Sequence, residues 1–240
     1  MSRDISQRQG VLKPVALTWS DNDMPIATAF DDPYYAREDG RAESHTVFVA
    51  GNGLPERWRD RPRFTIAELG FGTGLNFFET WHCWVNSAAA GGQLHYISFE
   101  LWPLEAEQIA RAIARWPDLI PLCMQLTTHW QPRTGVNTVT FSNVELTVIV
   151  GDARPTVPAW DGKADAWYLD GFSPAANPEL WDADLMREVC NHTVPGGTFS
   201  TYTAAGWVRR NLIAAGFHVD KVPGYGRKRE RLQGRRPVTT

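Results

Sequence analysis

The sequence predicts a doubly wound, Rossmann-like α/β fold preceded by a small N-terminal β-rich extension. Three observations point to it. From residue 61 onward, short apolar runs alternate with helix-period segments, the order expected of a parallel sheet with crossover helices. The run Phe64-Thr65-Ile66-Ala67 enters Glu68-Leu69-Gly70-Phe71-Gly72-Thr73-Gly74 and leaves through Leu75-Asn76-Phe77-Phe78, which reads as strand, glycine turn and helix. Acids also recur where later strands end, at Glu100, Asp152 and Asp170. That is the edge at which an open parallel sheet binds its ligands. We divide the chain into an extension over residues 1–60 and a main domain over 61–240.

Composition narrows the class. Of 240 residues, 43% are hydrophobic and 21% charged, ordinary for a globular protein, and no apolar stretch reaches membrane-span length. The first residues, Met-Ser-Arg-Asp-Ile-Ser-Gln-Arg, lack an apolar signal core. Cys83, Cys123 and Cys190 form no C-x-x-C pair, and the six histidines show no ligand spacing, so neither a disulfide framework nor a metal site is expected. A cytoplasmic setting follows. The net charge of −3 hides an asymmetry: residues 205–240 hold nine Lys or Arg against Asp220 and Glu230, which leaves −10 for the rest. Such a cluster is a solvated face or a strip that contacts phosphates, Arg227, Lys228 and Arg229 being its centre.

The elements follow in order. Val15–Trp19 and Met24–Thr28 flank the turn-rich Ser20-Asp21-Asn22-Asp23 and suggest a hairpin. Phe30-Asp31-Asp32-Pro33-Tyr34-Tyr35 reads as an Asp-Pro turn with core tyrosines, and His45–Ala50 as a strand ending at Gly51-Asn52-Gly53. After the glycine turn a helix is expected over 75–87, then a strand over Leu94–Phe99 ending on Glu100. Pro103 opens a helix to about Arg115. A further helix and loop fill 117–135, and Val136–Phe141 with Val144–Val150 form a hairpin. Ala164–Leu169 is the next parallel strand and delivers Asp170-Gly171-Phe172-Ser173-Pro174 to the ligand edge. Leu180–His192 reads as a helix, Pro195-Gly196-Gly197 as a turn and Thr198–Thr203 as a strand. A helix over Ala205–Ala214 and two antiparallel strands, Phe217–Val222 and about Arg229–Leu232, complete the chain.

The glycine turn brings a ligand to a helix N-terminus, where Asn76 is placed to cap and free amides suit a polar or anionic group. A dinucleotide site needs a third glycine, which would fall at Leu75 or Phe77. An acid followed by G-x-G-x-G is instead the form taken in S-adenosylmethionine (SAM) methyltransferases. A dinucleotide site or a purely structural turn is the alternative. On the SAM reading Glu68 receives the ammonium group, while Gly70, Gly72, Thr73 and Gly74 form the cradle. Glu100 accepts both ribose hydroxyls; otherwise it is a surface acid. Asp152 hydrogen-bonds the adenine amino group and Ala153 offers an amide; otherwise Asp152 is a turn residue. Asp170 supplies an acceptor beside the transferable methyl and Phe172 a stacking ring; as a bare pattern the stretch is a helix cap.

With these positions assembled, the sequence resembles the methyltransferase domain of the MnmC family, the tRNA 5-methylaminomethyl-2-thiouridine methyltransferases. The resemblance rests on Asp31-Asp32-Pro33-Tyr34, Val47-Phe48 with Asn52 and Leu54, Glu68–Phe77, His95–Glu100, Asp165–Pro174, Ala205–Arg210 and Gly224–Glu230. It implies a SAM cofactor and a tRNA substrate whose wobble uridine carries a 5-aminomethyl group. The matched motifs then place Asp32, Tyr34, Phe172, Pro174 and Arg227–Arg229 on the substrate side and make Asp170 the catalytic candidate. Many relatives fuse this domain to an FAD-dependent oxidase that makes the amine; the chain ends about ten residues after Glu230. Either another enzyme is the expected supplier or the sequence is a fragment. Competing readings are a SAM-dependent methyltransferase for another amine, a non-catalytic tRNA-binding module and a nicotinamide oxidoreductase.

Overall fold

In a computed structural model, residues 16–21, 23–89 and 91–238 are described. Val15, Asn22 and everything before Val15 lie outside them. Strands β1 (Leu17–Trp19), β2 (Pro25–Ala27) and β3 (Asp32–Pro33) form a small antiparallel sheet, as the hairpin reading expected. Helix α1 (Gly40–Ser44) follows, capped by Asp39, whose carboxylate accepts from the amides of Arg41 and Ala42 at 3.0 and 3.1 Å.

The main sheet is built from β4 (Arg63–Leu69), β5 (Gln93–Glu100), β6 (Gly135–Thr140), β7 (Val144–Val150), β8 (Ala164–Leu169), β9 (Thr193–Thr201), β10 (His218–Pro223) and β11 (Glu230–Arg235). Its order is β10-β11-β9-β8-β4-β5-β7-β6, with β9, β8, β4, β5 and β7 parallel and the flanking β6 and β11 antiparallel to their neighbours. The strands alternate faces with period two. Phe64, Ile66, Leu94, Tyr96, Leu146, Tyr168 point to one core, where helix α2 (Leu75–Ser87) adds Phe77, Phe78, Trp81 and Trp84. Helices α3 (Ala106–Ile113) and α4 (Ile120–Thr127) close that side. Ala67, Leu69, Ile97, Phe99, Trp167 and Leu169 face the other core, under α5 (Ala153–Ala159), α6 (Ala183–Asn191) and α7 (Gly206–Ala215).

Several expectations are corrected. His45–Ala50 is not a strand: α1 widens into a π turn over His45–Val49 and a 3₁₀ turn over Ala50–Asn52. A short apolar run does not distinguish a buried strand from a buried helix. Here tertiary bonds decide, since Ser200 Oγ donates to the Val47 carbonyl at 2.5 Å and Asn52 Nδ2 donates to the Trp167 carbonyl at 3.3 Å. Pro195-Gly196-Gly197 is not a turn but part of β9, which carries a register shift against β8. Gly196 has φ +76°, and its amide donates to the Arg236 carbonyl at 3.0 Å, so the glycines make an irregularity inside a strand. Helix α3 starts at Glu105 rather than Pro103, with the Gln108 side chain accepting from the Glu105 amide. The expected Leu180–His192 helix is split into a 3₁₀ turn (Pro178–Trp181) and α6, because Asp182 accepts from the Leu185 amide at 2.7 Å and starts a new helix. Helix α5 was not anticipated.

Phe77 is fully buried and packs against the rings of Phe71, Phe78, Trp81, Tyr96 and Phe141. Phe77→Ala is expected to destabilise the fold by about 3–5 kcal/mol, read from urea unfolding; a loss below about 1 kcal/mol would mean that this ring cluster closes over the gap.

Candidate active site

The carboxyl ends of β4, β5, β7 and β8 line one cavity of about 960 Å³, at the upper end of the usual range for a small-molecule site. The glycine turn sits at its centre. Gly70 has φ +90°, and a Cβ there would collide with the Asp170 carbonyl oxygen, so the turn and the end of β8 approach each other only because position 70 has no side chain. Helix α2 begins with Gly74 at its N-cap and no side-chain cap. Asn76 therefore does not cap the helix, which corrects that expectation.

Asn76 instead joins the ends of two strands. Its Nδ2 donates to Glu68 Oε1 at 3.0 Å and to Asp170 Oδ2 at 2.7 Å, while its Oδ1 accepts from Ser44 Oγ at 2.6 Å. Glu68 also accepts from Ser98 Oγ at 2.8 Å. Burial pushes Glu68 well above the usual carboxylate range, and the neighbouring Asp170 charge adds to this. Burial also pushes Asp170 up to about 7; the Asn76 donor and Lys228 oppose this, and Glu43 and Asp32 reinforce it. A carboxylate with that pKa beside a cavity can hold an N–H and take up a proton near neutral pH.

Glu100 lines the cavity with both oxygens engaged: Oε2 accepts from the Gly72 amide at 2.9 Å and Oε1 from the Trp102 amide at 2.7 Å. Burial raises its pKa, and these amides, which favour the charged form, limit the rise. Asp152 also lines the cavity, but as the N-cap of α5, with its carboxylate held by Arg154 Nε and Nη2 at 3.1 and 2.5 Å. The Arg154 hydrogen bond draws the Asp152 carboxyl below its ordinary value.

The other side of the cavity comes from distant segments. Asp32 Oδ2 accepts from the Ser173 amide at 2.9 Å and so holds the loop after β8. Phe172 stacks on Phe30 at 4.4 Å with Tyr34 edge-on at 5.3 Å, so one of its faces is already covered by the protein. Tyr202 donates to the Gly171 carbonyl at 2.7 Å. From the turn between β10 and β11, Lys228 lies 4.1 Å over the Tyr202 ring and 2.8 Å from Glu43 Oε1.

The structure thus brings Gly70, Gly72, Thr73, Asn76, Glu100, Asp152, Ala153 and Asp170 to one cavity, with Asp32, Tyr34, Phe172, Arg227 and Lys228 around it. It does not bring four expected residues to the cavity surface. Glu68 lies buried behind Asn76, Gly74 is the helix cap, and Pro174 and the exposed Arg229 stand outside. Phe30, Glu43, Ser44, Trp102 and Tyr202 are among the lining residues that sequence reasoning missed. Trp102 follows the strand-end acid Glu100 by two residues; the other four sit beside no strand-end acid or glycine turn, so only long-range pairing could have marked them.

Residues 117–237 match a family described as S-adenosyl-L-methionine-dependent methyltransferase. Over 93% of its length the chain is 44% identical to the tRNA 5-methylaminomethyl-2-thiouridine biosynthesis bifunctional protein MnmC of Aromatoleum aromaticum, and 46% identical to that of Chromohalobacter salexigens. It spans about a third of the length of these curated relatives, 36% and 33%. Among solved structures, MNMC2 from Aquifex aeolicus superposes with a TM-score of 0.73 at 24% identity, covering 95% of this chain and 73% of that one. Spermidine synthase from Thermotoga maritima gives 0.52 at 12% identity, covering 95% and 75%. Both structures share the fold.

The donor in Asn76 favours the charged form of Asp170. Asn76→Ala should therefore move the Asp170 pKa up from about 7, as read by carbon NMR of labelled carboxyl groups; an unchanged or lower value would remove Asn76 from control of this carboxylate.

Proposed function

The chain belongs to the S-adenosyl-L-methionine-dependent methyltransferase family, and we propose that it methylates the amine of 5-aminomethyl-2-thiouridine at the wobble position of tRNA, giving 5-methylaminomethyl-2-thiouridine. The relatives' name, tRNA 5-methylaminomethyl-2-thiouridine biosynthesis bifunctional protein, supports this substrate. The observation that carries the reading is Asp170, held by the Asn76 amide at the cavity edge and poised at about 7. A second activity, in another domain or another polypeptide such as an FAD-dependent oxidase, supplies the free amine. The cytoplasm is the setting in which such a tRNA would be met.

The residues present fit SAM. Gly70 and Gly72 line the cavity just before α2 at positive φ, where approaches to the Asp170 carbonyl and the Tyr34 ring leave no room for a side chain and keep the turn's backbone at the cavity. Each Glu100 oxygen accepts one amide and retains a lone pair for a ribose hydroxyl. Asp152 and the Ala153 amide would meet the adenine, with Arg154 sharing the carboxylate. Glu68 would act through Asn76 and not by contact.

When bound, SAM supplies a methyl group on a sulfonium that becomes a neutral thioether as the methyl is lost. The acceptor must be a neutral amine whose lone pair forms the new C–N bond. Asp170 accepts one N–H of that amine, aims its lone pair and takes the proton released after transfer. Lys228, a cation at the same wall, disfavours the protonated amine. Phe172 offers its free face to the uracil, and Tyr34 and Asp32 fix the loop and ring that present it. Arg227, 95% exposed beside Glu38 at the cavity rim, and Arg229, outside it, would contact phosphates.

Transfer of labelled methyl from SAM to tRNA containing the free amine, followed by nucleoside analysis, should place label in 5-methylaminomethyl-2-thiouridine. Label in another nucleoside or in a non-tRNA amine would replace the substrate. Asp170→Asn should lower kcat/KM by about 10²–10⁴-fold. For the wild type, kcat/KM should climb as pH rises through about 7, because the carboxylate must be ionised to accept a proton. A second inflection belongs to the amine; only the lower one should vanish in Asp170→Asn, and an unchanged profile would exclude Asp170 as the acceptor. Glu100→Ala should weaken SAM at least about tenfold by calorimetry, since hydrogen bonds to a charged group are worth about 1.5–3 kcal/mol each.

A further inference from the structure

Behind the cavity, the fold assembles three metal-ligating side chains that are scattered in the sequence. His45 comes from the π turn, and Glu79 and Cys83 stand one turn apart on α2. His45 Nδ1 lies 2.9 Å from Glu79 Oε1, Cys83 Sγ lies 3.5 Å from the same oxygen, and Sγ and Nδ1 are 3.8 Å apart. We propose that His45, Glu79 and Cys83 bind a soft divalent cation, zinc above all, with water as the fourth ligand.

The distances carry this. Zinc bonds of about 2.0–2.1 Å to nitrogen and oxygen and about 2.3 Å to sulfur, at tetrahedral angles, put nitrogen and oxygen about 3.3–3.4 Å apart and sulfur about 3.6 Å from each. Each edge of the observed triangle is within about half an ångström of that figure, a difference that side-chain rotation absorbs. One thiolate, one imidazole and one carboxylate form a donor set that suits zinc and not magnesium or calcium.

The surroundings are those of a ligand set. Arg41 Nε binds Glu79 Oε2 at 2.7 Å, which leaves Oε1 directed at His45 and Cys83. A ligating carboxylate is commonly held this way by an outer partner. Arg41 also reaches Asp118 at 3.3 Å, so its charge is balanced when Oε1 is given to a cation. The Glu79 side chain is buried, whereas that of His45 is 49% exposed, which gives an ion a route in and a water a place to bind. The Cys83 thiol gives up its proton when a cation binds its sulfur. Zinc binding would form the Zn–S bond and release that proton to solvent. The ion would tie the α1 segment to α2 one turn from the Ser44–Asn76 bond.

The test titrates the metal-stripped full chain with Co²⁺, then displaces it with Zn²⁺. One equivalent of Co²⁺ should give thiolate-to-cobalt charge-transfer absorption that Zn²⁺ removes. Cys83→Ser should abolish the band, and His45→Ala, a change at a half-exposed position, should weaken binding at least about tenfold. At a hundredfold excess over Kd, Zn²⁺ should raise the Tm of the wild type by about 5–10 °C and leave that of Cys83→Ser unmoved. Absence of the band overturns the site. So does a band that persists in Cys83→Ser, which would assign the metal to Cys123 or Cys190. Unweakened binding by His45→Ala also overturns it, and that variant decides the matter should Cys83→Ser fold poorly.

Discussion

Two carboxylates stand at the ends of adjacent strands with one amide nitrogen between them. Glu68 at the end of β4 and Asp170 after β8 each take one hydrogen of Asn76 Nδ2, and that amide is oriented in turn by Ser44. Burial disfavours the charged form of each, and the Asp170 charge adds to the effect on Glu68. Both pKa values are raised: Glu68 is walled in with Ser98, and at Asp170 the nearby Lys228 opposes the rise. Of the two, Asp170 is the carboxylate that lines the cavity. The glycine turn serves the same end, because the absence of a side chain at Gly70 lets β8 bring Asp170 this close.

What the sequence made legible was the part governed by local rules. Short apolar runs located β4, β5 and β8, alternation located β7, the glycine spacing located the start of α2, and the strand-end acids located the cavity. What it concealed depends on partners far along the chain. Val47, Phe48 and Val49 are three consecutive buried residues, which reads as a strand until Ser200 takes the Val47 carbonyl. Asn76 has the position of a helix cap, yet its partners lie 8, 32 and 94 residues away.

The basic cluster near the C-terminus shows the same limit. As a run of charge, Arg227-Lys228-Arg229-Glu230-Arg231 reads as one surface. In the fold it divides: Arg231 is buried with its guanidinium on Ser200, Lys228 is paired with Glu43 and lies over Tyr202, and Arg227 and Arg229 are exposed. Arg236 is likewise drawn inward, onto the carbonyls of Cys190 and Asn191. Net charge in a window therefore overstates the charge available to a polyanion, since folding into one β-hairpin draws part of it inward.

The bond from Asp32 to the Ser173 amide closes a loop of 141 residues. A contact of that span forms late, because the entropy of closing the loop is lost before the contact gives anything back. On a ribosome, the small N-terminal sheet emerges first and has no counterpart to rest on until β8 and the loop behind it have followed. The cavity is therefore a product of the whole chain's completion: a polypeptide interrupted before residue 173 holds the glycine turn and Glu100 but lacks the wall that faces them.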